Sequence, residues 1–557
     1  MLRAFIDLPC LPEITMTAKH PSMSRRGLLL GGAGLGVALG LSSGLAGPVF
    51  AASNDNTTPD ERDAQWLKAT QKYASERKRW LAAVDKGDSD GPFRPDWASL
   101  QNYQVPQWYA DAKFGIFVHW GLYSIPAFVG EWYSRNMYIQ GSAEYEHHIK
   151  TYGPHTQFGY KDFIPQFTAS AFDPNDWAQL FADAGARYVV PVAEHHDGFS
   201  MYDSRLSGYT AVKMGPKRDL LGEIKKAVKD KGLHFALSSH RAEHDWFFDG
   251  GRQFPSDVSD PANAGLYGPA QDRMAGKDDQ DLFGDYTHVS QAWLDDWLAR
   301  QAELVDRYDP DLVYFDWWIG QPSFRNTLPK FLAWYYNKAA KEGNSAIVNY
   351  KLGEFADGAG VLDIERGQAP GIRSDVWQTC TSISDKAWGY IENDTYKSPA
   401  QLVHLLADVV SKNGNLLLNV GPHADGRIPE AARDSLMQMG TWLKVNGEAI
   451  YGTRPWIVFG EGPTETASGT FAESQAKLYT AQDFRFTVKD GVLHAIEMAR
   501  PAGEVTITSV RSDYPVKNVR LLGTDAPVTF RQEAHGLILS LPAGAPEQLA
   551  YVWRIET

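Results

Sequence analysis

From Trp108 onward, short apolar runs alternate with stretches in which apolar residues recur every three or four positions. A bounded apolar run of four to eight residues reads as a buried strand, and the longer period reads as a helix with one face covered; their alternation is the signature of βαβ units. The runs predict strands at Phe114–Trp120, Tyr188–Glu194, His234–Ser239, Leu312–Phe315, Ala346–Tyr350, Val361–Ile364, Val376–Thr381 and Leu416–Val420. Helices fall between most of them. Asp173 followed by Pro174 predicts an N-cap and first-turn proline. Asp219–Lys231 puts Leu221, Ile224 and Val228 on one face; Leu294, Leu298 and Val305 share another. After Ser398 and Pro399, the stripe Leu402, Leu405, Leu406, Val409, Val410 has the spacing of a buried face. No helical period separates strands five and six, or six and seven. The pattern predicts an α/β fold: a (β/α)8-like barrel, irregular on that side.

Past Tyr451 the helical period disappears. Short β-branched runs at Phe484–Val488, Val505–Val510, Val519–Leu522, Leu537–Leu541 and Ala550–Ile555 are separated by Gly, Pro and Asp turns. This predicts a C-terminal all-β sandwich. The expected organisation is a signal segment over 1–52, a linker and lead-in over 53–100 with 53–66 flexible, the barrel over 101–452 and the sandwich over 453–557.

The first segment is read as an export signal of the twin-arginine type. Arg25-Arg26 precedes a glycine-rich apolar stretch, Leu28 to Leu45, and small residues follow at Ala51-Ala52-Ser53. This predicts a periplasmic or extracellular protein with no membrane partner once the signal is removed. Cys10 lies in that segment, so the mature chain holds one thiol, Cys380, and can form neither an internal disulfide nor a Cys zinc site. Net charge is −14 with no basic block, which argues against nucleic acid as a partner. The 18 Trp are a high count and suit sugar handling, because apolar sugar faces stack on flat rings.

The strand ends carry the chemistry. They are His119-Trp120-Gly121, followed by Glu131-Trp132-Tyr133; Glu194-His195-His196-Asp197; Ser239-His240; Asp316-Trp317-Trp318; and Asp363-Ile364-Glu365-Arg366. In a barrel the carboxyl ends of all strands share one face, so these imidazoles, indoles and carboxylates are expected to line one site. Metal hydrolysis through His195, His196 and Asp316 would need both histidines on one side, whereas neighbours on a strand point to opposite faces. No metal and no other cofactor is therefore expected. Acid/base sugar chemistry and sugar binding without catalysis both remain compatible with these residues.

Four blocks resemble the α-L-fucosidases of glycoside hydrolase family 29: Ala112–Gly121, Glu131–Tyr133, His195–Phe199 and Asp309–Asp316. So does Val410–Pro422, continued by Ala424–Gly426. The resemblance implies a metal-free retaining exo-glycosidase that removes terminal α-L-fucose from a glycan. It puts the nucleophile at Asp316 and fucose contacts at His119, Glu131, Trp132, His195 and His196; Tyr314 falls where the family often has an aromatic residue. His240 and Trp317 join the set as strand-end residues. Two motifs depart from the family: Ser238-Ser239-His240 stands for Tyr-Tyr-Ser, and Asn349-Tyr350-Lys351 for the start of Asn-Asp-Arg-Trp. Glu365, at the end of strand six, is the expected acid/base. Glu354, in a loop, and Asp363, inside the strand, are the weaker candidates. The changed motifs also permit another galacto-configured sugar, or a binding protein without turnover.

Overall fold

A computed structural model describes residues 55–274, 287–475 and 477–557; the segment 1–52, expected to be an export signal, lies outside the described residues. Eight parallel strands form the first unit: β1 (Phe114–Val118), β2 (Tyr188–Glu194), β3 (His234–Ser239), β4 (Leu312–Phe315), β5 (Ile347–Tyr350), β6 (Val361–Leu362), β7 (Trp377–Ser382) and β8 (Gly414–Val420). Their order is β6-β5-β4-β3-β2-β1-β8-β7. Between β6 and β7 the circle is completed by an isolated bridge, Asp363 to Gln378, with Ile364 and Arg366 N–H donating to Gln378 O and Cys380 O at 2.8 Å. This near-closed barrel is irregular where the sequence lacks helical period.

The side chains divide by the two-residue period of a strand. Phe117, Val190, Ala236, Leu312, Tyr314, Ile347, Val361, Cys380 and Leu417 pack together inside the barrel. Their neighbours Ile116, Val189, Val313, Phe315 and Val348 belong to the outer core under the helices. Counting on by twos from the inner set reaches His119, His240, Asp316, Lys351, Asp363, Glu365 and Asn419. The barrel axis is thus continued upward by the polar residues of the strand ends.

The lead-in differs from expectation. Pro59–Thr70 is helical, not flexible, and Thr58 and Glu61 close a capping box at its start. The next helix, Ala74–Gly87, sends Arg77 to Asp296 at 2.7 Å. Asp296 also pairs with Arg241 and Arg300, and both of these reach Glu194, all with buried side chains. This ion network ties the ends of β2 and β3 to the helix Gln291–Tyr308, since a buried charge is tolerated only when paired.

The second unit follows at once. β9 (Arg454–Glu461), β10 (Phe484–Lys489), β11 (Val492–Glu497), β12 (Glu504–Ile507), β13 (Asn518–Leu521), β14 (Thr529–Glu533), β15 (Gly536–Ser540) and β16 (Tyr551–Glu556) make antiparallel sheets of five and three strands. Trp456, Phe484, Phe486, Leu537, Leu539 and Trp553 fill the core they share. β9, β11 and β14 go beyond the five runs predicted. Across the junction, Arg485 pairs with Asp408 of the barrel helix Pro399–Ser411 at 2.5 Å.

Candidate active site

The barrel mouth gathers four imidazoles around one carboxylate. Asp316 follows β4 directly, in phase with Leu312 and Tyr314, and its side chain stays 19% exposed. His240 Nδ1 lies 3.0 Å from Asp316 Oδ2, and His196 Nε2 lies 3.5 Å from the same oxygen. His119 and His195 complete the group, with ring centroids 5.4 and 4.6 Å from that of His240. Both adjacent histidines face the site. The backbone leaves the strand after Glu194, where the β2–β3 register shifts, so the alternation that would have separated His195 from His196 is broken.

Each imidazole has a partner that sets its state. His119 Nδ1 donates to Asn419 Oδ1 at 2.7 Å, and burial holds the ring well below the ordinary histidine range. Its other nitrogen is thereby left as an acceptor for a hydroxyl. Burial also keeps His195 neutral, aided by repulsion from His196, and its Nδ1 is buried without a protein partner. Burial lowers His240 as well; with Nδ1–H on Asp316, its Nε2 accepts from Ser238 Oγ at 2.9 Å. His196 is the exception. Burial opposes its charge, but Glu243 and Asp316 outweigh that and push it up to about 9. Asp316 mirrors this: burial would raise it, yet hydrogen bonds from His196 and His240 and the Lys351 charge hold it well below the carboxylate range.

Beside this group stands a second one. Lys351, buried at the end of β5, lies 2.8 Å from Asp363 Oδ2, 3.2 Å from Glu365 Oε2 and 2.5 Å from Tyr314 Oη. Trp317 Nε1 donates to Glu365 Oε2 at 2.7 Å. Glu365 thus faces the same mouth as Asp316, through the indole of the next residue. Asp363 lies past the end of β6, not inside it, and points into the barrel as the counter-ion of Lys351. Tyr314 sits one layer below Asp316, with its hydroxyl held by Lys351 and its ring edge-on to Phe117 at 4.8 Å. Glu354 accepts the Lys351 backbone N–H at 2.8 Å, and its Oε1 is buried without a partner. Burial pushes its carboxyl up to about 8 against that bond.

Of the remaining expected residues, Trp132 packs on His196 with centroids 5.4 Å apart. Glu131 is buried and accepts the backbone N–H groups of Trp388 and Gly389 at 3.1 and 3.2 Å. Glu131 therefore shapes the loop after β7. That loop contributes Trp388, which the sequence reading missed: its ring lies 5.2 Å from His119, and Arg366 covers it at 4.7 Å. The dipeptide Trp388-Gly389 in a turn-rich stretch was the available signal.

Among the described residues, two sets of atoms lie close enough for an ion: His119, His195, His240, and His196, His240, Asp316, each within 4.8 Å. Both need His240, whose two nitrogens are already committed to Asp316 and Ser238. The second also needs His196, which is held as a cation. The donor set fits neutral and charged hydrogen bonds to hydroxyls better than a metal.

The sequence model of the alpha-L-fucosidase family matches residues 80–448. Rat tissue alpha-L-fucosidase is 32% identical over 464 residues, covering 82% of this chain and 89% of its own length. Human plasma alpha-L-fucosidase is 30% identical, with 83% and 91% covered. The crystal structure of Thermotoga maritima alpha-fucosidase in complex with fucose superposes with a TM-score of 0.66 at 31% identity, covering 83% of this chain and all of that one (100%). With such matches across the barrel and into the β module, this chain belongs to the alpha-L-fucosidase family of glycoside hydrolases.

Proposed function

We propose that the protein is a retaining exo-α-L-fucosidase acting on fucosylated glycans, with Asp316 as nucleophile and Glu365 as acid/base. The observation that carries this reading is the paired arrangement at the mouth. One carboxylate is kept ionised by His196, His240 and Lys351, and a second carboxyl is tied to the neighbouring indole. Asp316 attacks the anomeric carbon as the glycosidic C–O bond breaks, and Glu365 gives its proton to the leaving oxygen. Water then attacks the anomeric carbon of the β-fucosyl–Asp316 ester, Glu365 takes the water proton, and Asp316 leaves as carboxylate. Two inversions return the α configuration. His119, His195 and His196 supply hydroxyl contacts, and Trp132 an apolar face for the sugar.

Glu354 supports a second reading of the acid. Its carboxyl, pushed up to about 8, is protonated at neutral pH as an acid must be. Truncating each carboxyl in turn decides between them: loss of disaccharide turnover with partial retention on aryl fucosides marks the acid. The activity itself is tested with a panel of aryl glycosides. Release from the α-fucoside, with α-fucose as the first-formed anomer by NMR, is expected. Release only from another galacto-configured glycoside, or β-fucose as first product, would contradict the reading.

We also infer export through a twin-arginine route, supported by Arg25-Arg26 before the apolar stretch and by a single thiol after it. N-terminal sequencing of the exported protein should find a start near residue 52; an intact leader on cytoplasmic enzyme would contradict it.

A further inference from the structure

The segment Gly469–Glu473 belongs in sequence to the β module, between β9 and β10, yet it is paired with the stretch that carries Glu365. Gly469 N–H donates to Gln368 O at 2.8 Å, Phe471 N–H to Glu365 O at 2.8 Å, and Glu473 N–H to Arg366 O at 2.9 Å. Gly367 permits this approach, because a Cβ there would stand 1.8 Å from Gly469 O. The Glu473 carboxylate accepts from Thr381 Oγ1 at 2.8 and 2.9 Å and lies 3.5 Å from both Arg366 Nη1 and Lys397 Nζ. Arg366 and Phe471 both hold left-handed backbone, with φ of 42° and 59°. Residues other than glycine adopt that conformation only where their surroundings enforce it. The half-buried Phe471 ring stacks on Trp317 at 6.3 Å with planes 25° apart, and Trp317 is the indole that donates to Glu365.

In a retaining glycosidase the proton donor stands beside the leaving group. A ring stacked on the donor's own indole partner is therefore next to the sugar that departs. We propose that the β module completes the active site. Phe471 and Trp317 form an aromatic platform for the pyranose to which fucose is attached, and Glu473 is a positioning residue that fixes the backbone of Glu365 and Arg366. The preferred substrate class is then a fucosyl oligosaccharide, whose second sugar offers an apolar ring face. This rests on the assignment of Glu365 as acid/base.

The full chain is assayed on an α-fucosyl disaccharide and on α-fucosyl fluoride, whose leaving group fills no second-sugar site. Phe471→Ala should lower kcat/KM on the disaccharide at least tenfold more than on the fluoride, and Phe471→Trp should restore most of that difference. Equal losses on both substrates, or none on either, would overturn the platform. Glu473→Ala should steepen the dependence of kcat/KM on leaving-group pKa across aryl fucosides, as a misplaced acid does, with Glu473→Gln partly restoring it. An unchanged slope would overturn the positioning role. Glu365→Ala reads the underlying assignment separately: wild-type disaccharide turnover in that variant would remove the assignment and the positioning role with it, while the Phe471 ratio reads the platform alone.

Discussion

His240 Nδ1 stands 3.0 Å from Asp316 Oδ2, and because a carboxylate can only accept, the imidazole must donate. This bond, with the His196 charge, keeps Asp316 ionised well below the usual carboxylate range despite burial. The proposed attack by Asp316 needs that ionised form. Replacing His240 by Phe removes a donor, so the Asp316 pKa rises and the acid limb of the kcat/KM profile moves toward neutral pH. The wild-type limb should lie at lower pH than that of the variant. Coincident limbs would show that His240 does not set the Asp316 charge.

Lys351 and Asp363 are both fully buried and lie 2.8 Å apart. Lys351→Met leaves Asp363 as an uncompensated charge, and breaking such a pair costs about 3–5 kcal/mol. Urea unfolding of Lys351→Met should show a loss of that order. The double variant Lys351→Met/Asp363→Asn should recover part of it, and the coupling between the two is the checkable quantity. A double variant less stable than either single one would contradict the pairing.

Glu354 carries its own pH signature. Its folded pKa is raised to about 8, so between the unfolded carboxyl value and pH 8 the folded state holds a proton that the unfolded state has lost. The stability associated with this proton is present at low pH and is lost as pH rises through that window. Glu354→Gln should flatten the fall of Tm from pH 5 to pH 8. The same downward slope in both proteins would assign it to other groups.

How much of this could be read from the chain depends on strand phase. Leu312, Tyr314 and Asp316 share one face by the two-residue period, and so do Phe117 and His119, and Val361, Asp363 and Glu365. Five of the site's residues, Tyr314, Asp316, His119, Asp363 and Glu365, therefore follow from marking the strands. His195 and His196 did not. Their common direction depends on the register shift at the end of β2, which no local pattern announces. Asp363 was expected inside its strand because Val361–Ile364 is apolar on either side, but β6 stops at Leu362. Lys351 looked like a departure from the family's motif; its role as the cation among Asp363, Glu365 and Tyr314 emerges only once three strands are side by side. Trp388 and Phe471 come from loops in different units and approach the mouth through tertiary packing alone. The helix at Pro59, expected to be flexible chain, does carry a local signal, the capping-box spacing of Thr58 and Glu61.

The central claim is that Asp316 forms the covalent bond and Glu365 moves the proton. Azide rescue of the two truncated variants tests it most directly, on an activated α-fucoside with product configuration read by NMR. Asp316→Gly should be nearly inactive alone and give β-fucosyl azide, because azide displaces the leaving group in one inversion. Glu365→Ala should be rescued to α-fucosyl azide, because azide attacks the β-linked fucosyl-enzyme that accumulates without a general base. The same anomer from both variants, or a substantial uncatalysed-by-azide rate in Asp316→Gly, would contradict the account.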